Sequence, residues 1–144
     1  MVDLDDQTEL HRSIEIFYFG YRAFTMRSDR VLERRGLGRA HHRILYFIGR
    51  DPGTPVSGLL KTLGISKQAL NAPLRQLVAM KLVVSEAATY DQRIKLLSLT
   101  QIGRRLEAQL TGAQKKHLAG AFQAVGRGAG VHWRAVMVAL LNES

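Results

Sequence analysis

The chain has 144 residues, 46% of them hydrophobic and none of them cysteine, which suits one domain with a sizeable core and excludes a disulfide framework or a thiolate metal site. No apolar run approaches the ~18 residues of a membrane span, and the acidic opening MVDLDDQTEL is not a secretory signal, so a cytoplasmic location is expected. The net charge of +9 is uneven, with six Lys/Arg against seven Asp/Glu in residues 1–35, eleven against three in 36–105 and four against two in 106–144.

Residues 8–35 carry Ile14, Phe17, Tyr18, Tyr21, Phe24, Thr25, Val31 and Leu32 at three- and four-residue steps, which predicts one long amphipathic helix. Thr8 is placed to cap it, and Gly36 and Gly38 to end it. A second helix is predicted over 39–50, with Ile44, Leu45, Phe47 and Ile48 turned inward. His41 and His42 fall in its first turn. Adjacent helical residues point about 100° apart, so they make a poor chelating pair. Asp51-Pro52-Gly53 reads as a turn, and Thr54-Pro55 as an N-cap followed by proline at the first helical position. A short third helix over 56–63 should bury Val56, Leu59, Leu60 and Leu63. Gly64 closes it, Ile65 is expected in the core, and Ser66 caps a fourth helix running to about Met80. Helix, glycine turn, apolar residue, serine cap and helix together make a helix-turn-helix signature.

Leu70, Leu74, Leu77 and Val78 or Met80 form the expected inner stripe of the fourth helix. Lys67, Gln68, Asn71 and Arg75 then fall on or near its outer face, which has no acid. Arg, Asn and Gln are the side chains that pair with base edges. Basicity concentrated over this segment marks a polyanion footprint rather than general solubility. Pro73 should kink the helix near 69–73 or leave its first turn irregular, because proline removes a backbone donor. Two strands follow, around Leu82-Val83-Val84 and over 94–99, with residues 87–93 as the hairpin tip. Asp91 and Arg93 are two apart, so the carboxylate can orient the guanidinium in a bidentate pair. A held arginine at a hairpin tip suits a narrow minor groove. Thr100 caps a long fifth helix through Leu106, Leu110, Ala113, His117, Leu118, Ala121, Phe122 and Val125. Residues 127–130 break it, and a last helix over 131–141 carries Trp133, Val136, Met137, Leu140 and Leu141.

Gly64-Ile65-Ser66-Lys67-Gln68-Ala69-Leu70 and Asp91-Gln92-Arg93-Ile94-Lys95-Leu96-Leu97-Ser98-Leu99-Thr100, with Gly103 opening the next helix, make the chain resemble the multiple antibiotic resistance regulator (MarR) family of bacterial transcription factors. The resemblance covers almost the whole chain. It implies a single mainly α domain with a small β-wing: a winged helix-turn-helix over 39–100, flanked by dimerisation helices over 1–35 and 101–144. It implies a homodimer on double-stranded DNA with a pseudo-palindromic operator, and repression relieved by a small aromatic or phenolic effector. The expected DNA contacts are Ser66, Lys67, Gln68, Asn71, Arg75, Asp91, Arg93 and Lys95. The expected effector-site residues are Tyr18, Tyr21, Arg22, His41, His42 and Phe47. Pro73 departs from the usual reading helix.

No cofactor or metal site is expected. An enzyme is disfavoured, because the central region offers only Asp51, Glu86 and Asp91 as acids and no evident nucleophile–base pair. The competing expectation is a winged-helix protein-interaction module that no longer reads DNA, for which Pro73 speaks and the basic face and wing speak against.

Overall fold

The computed structural model describes residues 7–143. The elements run α1 (Gln7–Glu33), α2 (Arg39–Arg50), β1 (Thr54–Pro55), α3 (Val56–Leu63), α4 (Lys67–Ala79), β2 (Val83–Ala88), β3 (Asp91–Leu99), α5 (Gln101–Val125) and α6 (Ala129–Asn142). The strands form an antiparallel three-stranded sheet in the order β1-β3-β2. One core of Leu32, Leu37, Ile44, Leu45, Ile48, Leu59, Leu70, Leu77, Leu82, Val83, Leu97, Leu99, Leu106 and Leu110 draws on every element except β1 and α6. Truncating a single leucine of this set to alanine is worth about 2–5 kcal/mol.

The helical boundaries follow the sequence signals closely, with corrections where tertiary structure intervenes. Thr8 lies inside α1 and does not cap it. Gly36, at φ +72, provides the left-handed end of that helix. Thr54-Pro55 is not a cap-plus-first-turn pair: both residues pair with β3, at Leu97 and Leu96, and Pro55 becomes the N-cap of α3. Within α3 only Leu59 is fully buried, with Val56, Leu60 and Leu63 packed at the core margin. Ile65 is exposed (39%) rather than buried, because it sits in the turn itself. Phe47 is only partly buried, and Val78 and Met80 are exposed, so α4 rests on Leu70 and Leu77, with Leu74 partly buried against the core. Its first turn is regular, closed by Ser66 Oγ accepting from the Ala69 N–H at 3.0 Å, and the helix continues through Pro73 without a break. Proline costs one link there, the N–H that would meet the Ala69 carbonyl.

The β-hairpin is longer than its sequence suggested. Its turn is only Thr89-Tyr90, and Leu82 precedes the strand. The base of the wing is clamped to α5. Thr100 N–H donates to the Leu82 carbonyl (3.0 Å), Thr100 Oγ1 donates to the Lys81 carbonyl (2.6 Å), and the same oxygen accepts from the Gly103 N–H (3.0 Å). A Cβ on Gly103 would collide with the Leu82 carbonyl oxygen, which accounts for glycine at the opening of the helix. The break between α5 and α6 falls at 126–128, so Ala129 and Gly130 already belong to α6. None of α6 is buried within the chain, and α1 leaves Ile14, Phe17, Tyr18, Phe19 and Tyr21 exposed.

Candidate nucleic-acid interface

Gly64 at φ +64 turns the chain between α3 and α4. That turn, with the Ser66 cap, seats Leu70 and Leu77 in the core. Helical periodicity then leaves Lys67, Gln68, Asn71 and Arg75 on the solvent side, where all four are exposed. This face offers amide and guanidinium groups with no carboxylate among them. Ser66 is engaged as a cap, and its exposed backbone lies at the positive end of the helix dipole, where an anion is favoured.

The wing carries a second cationic element, and the structure explains how it is held. Ala87 pairs with Lys95 but the next residue, Ala88, pairs with Asp91, so β3 bulges over 92–94. A bulge bends a strand and re-aims its side chains. Here Asp91 fixes the bulge from inside. Its Oδ1 accepts from the Arg93 backbone N–H (3.0 Å) and from Arg93 Nε (3.1 Å), while Oδ2 accepts from Arg93 Nη2 (3.0 Å). The guanidinium is therefore gripped bidentately while its side chain stays 91% exposed. The Arg93 hydrogen bonds, side chain first and backbone second, hold the Asp91 carboxyl below the usual carboxylate range, and Asp91 in turn raises the arginine. Two donors of the fork are used and the remainder point to solvent. Lys95, also exposed, lies on the same strand.

A cavity of about 310 Å³ lies where α1, α2 and α5 meet. Tyr21, His42 and Phe47 line it, whereas Tyr18, Arg22 and His41 do not. Tyr18 is 64% exposed on the outer side of α1, and His41 is turned toward α4, where its Nε2 lies 2.9 Å from Gln76 Oε1. Sequence periodicity missed Asp29, Arg39, Arg43 and Lys115 as lining residues, because the cavity they share forms only where α1 and α2 pack against the distant α5. Arg39 pairs with Asp29 (2.9 Å) and lies over the Tyr21 ring, and Arg43 donates to the Tyr21 hydroxyl (3.3 Å). His42 is buried against Thr111 Oγ1 (3.3 Å), and burial lowers its pKa from the ordinary value of 6.5. Among the described residues no group of His, Asp and Glu is arranged to hold a metal ion, and no helix is long and apolar enough to cross a membrane.

A capped two-helix turn with a basic outer face, followed by a hairpin wing, defines a winged helix-turn-helix of the transcription-regulator class. A family model described as the MarR family matches residues 35–94. The HTH-type transcriptional regulator PetP of Rhodobacter capsulatus is 40% identical over 134 residues, covering 93% of this chain and 81% of the relative. Two solved structures share the fold at 17% identity. One is a SlyA-like transcription regulator from Listeria monocytogenes (TM-score 0.75, covering 99% of this chain and 89% of that one). The other is a MepR–DNA complex from S. aureus (TM-score 0.74, covering 90% and 96%). The chain belongs to the MarR family of DNA-binding transcriptional regulators.

Proposed function

We propose that this regulator is a homodimeric repressor that binds a pseudo-palindromic operator in the cytoplasm and is released by a small aromatic or phenolic effector. Each protomer lays α4 in a major groove, with Gln68, Asn71 and Arg75 at base edges and Ser66 and Lys67 on the backbone. Arg93 enters the flanking minor groove, oriented by Asp91, and Lys95 meets a phosphate. The observation that carries this reading is the fully exposed Arg93 fork gripped by Asp91 on a bulged wing. An ordinary surface pair would contribute little to stability, so this geometry is better spent on a partner than on the fold. The homologous fold in the MepR–DNA complex supports it.

Pairing of two copies gives the exposed apolar faces of α1 and α6 a partner. Tyr21, His42 and Phe47 supply aromatic walls for the effector, and Arg39, Arg43 and Lys115 suit an acidic or phenolate group. Titration of operator DNA over a salt series tests the reading. Arg93→Ala is expected to weaken binding at least about tenfold and to lower the log–log salt slope by about 0.9 without changing the melting temperature. Arg75→Ala is expected to relax preference at one base pair by about 1–3 kcal/mol. Unchanged affinity and slope for Arg93→Ala would remove the wing from the interface.

A further inference from the structure

At the junction of α1 and α2, three hydrogen bonds run in a single direction. The Gly38 N–H donates to His41 Nδ1 at 3.0 Å. His41 Nε2 lies 2.9 Å from Gln76 Oε1. Gln76 Nε2 donates to the Gly36 carbonyl at 3.3 Å. Both ends of the series are backbone groups with one chemical role each. An N–H only donates, so Nδ1 accepts and the ring hydrogen sits on Nε2. A carbonyl only accepts, so the Gln76 amide turns its nitrogen to Gly36 and its oxygen to His41. Tautomer and amide orientation are both dictated, and every donor in the series meets an acceptor.

The series joins parts of the molecule that are far apart in sequence. Gly36 and Gly38 form the turn leaving α1, and Gly36 sits at φ +72. Gln76 lies on α4, adjacent to Arg75 and 35 positions beyond His41. Through it the solvent-facing side of the reading helix is tied to the point where the DNA-reading module leaves the long helix. We propose that His41 and Gln76 are positioning residues for DNA reading: they fix the angle of α4 against the α1–α2 junction, and so the separation of the two reading helices in the dimer. The inference rests on the dimeric DNA-reading function proposed above. Neither residue acts on a base; Gln76 aims its neighbour Arg75.

The test is equilibrium binding of the full chain to duplexes carrying half-sites selected from random DNA, with their separation varied by single base pairs. The wild type is expected to show a sharp spacing optimum. His41→Ala and Gln76→Ala are expected to flatten it, closing a gap of roughly tenfold, with the salt slope unchanged and the melting temperature lowered by no more than the loss of two hydrogen bonds entails. His41→Gln is expected to restore the optimum, because its amide accepts from Gly38 with the oxygen and donates to Gln76 with the nitrogen. His41→Glu is expected not to, because an ionised carboxylate only accepts. A sharp optimum retained in both alanine variants, or equal behaviour of the Gln and Glu variants, would overturn the inference. If the wild type itself has no spacing optimum while Arg93→Ala still weakens binding, the dimeric reading fails and takes this inference with it.

Discussion

At the scale of single residues, Asp91 and His42 make predictions whose signs are informative. Asp91→Asn raises the net charge of the wing, and electrostatics alone would tighten DNA binding. If the carboxylate instead serves to hold Arg93, the substitution weakens binding by roughly tenfold, about the value of a charge-assisted hydrogen-bonded pair. A mobility-shift titration at fixed salt distinguishes the two. Because Arg93 lowers the Asp91 pKa, this grip persists as pH falls through the usual carboxylate range and is lost only below it. His42 behaves differently. Burial lowers its pKa first of all; Arg43 lowers it further and Asp29 opposes. The unfolded chain therefore takes up the proton before the folded one does, so stability is full above about pH 6.5 and declines as pH falls through that value. Melting temperatures across this range should fall with acidification for the wild type and less for His42→Gln; parallel curves would show that His42 does not carry the effect. The Asp91–Arg93 pair was legible in the sequence because two-residue spacing places both side chains together. The His41–Gln76 contact was not, because nothing local links positions 35 apart.

At the scale of elements, amphipathic periodicity and caps located every helix, since Ser66, Thr100, Gly36 and Gly64 act through neighbours in sequence. The departures in the sheet come from partners distant in the chain. Thr54-Pro55 looks like a helix start but is drawn into the sheet by Leu97 and Leu96, which lie far along the chain. The wing bulge depends on how β2 and β3 register, which composition does not specify. Pro73 suggested a kink or an irregular first turn, yet the first turn of α4 is regular and the helix continues past the proline, with the flanking leucines Leu70 and Leu77 both fully buried. The wing's attachment yields a test of this scale. Gly103→Ala places a methyl group against the Leu82 carbonyl and is expected to cost ~3 kcal/mol in denaturant unfolding. Wild-type stability in that variant would show that the junction of wing and α5 yields without cost.

At the scale of the whole molecule, charge and apolar surface are segregated. The excess of Lys/Arg lies over residues 36–105, which contain the reading helix and wing, while exposed Ile14, Phe17, Tyr18, Val131, Val136 and Val138 lie on the terminal helices. The cationic and the exposed apolar surfaces thus fall on different segments of the chain, and the cavity lined by Tyr21, His42 and Phe47 lies where α1 and α5 meet α2. The family and the outline of this division were readable from two short motifs. The cavity's cationic lining was not, because Arg39, Arg43 and Lys115 converge only on folding. The central claim is that two copies read DNA together, each with α4 and a wing. Selection of binding sites from random duplex DNA by the full chain tests it most directly. The expected result is an inverted repeat whose half-sites lie about one helical turn apart. A single unrepeated half-site, or no enriched sequence at all, would contradict it.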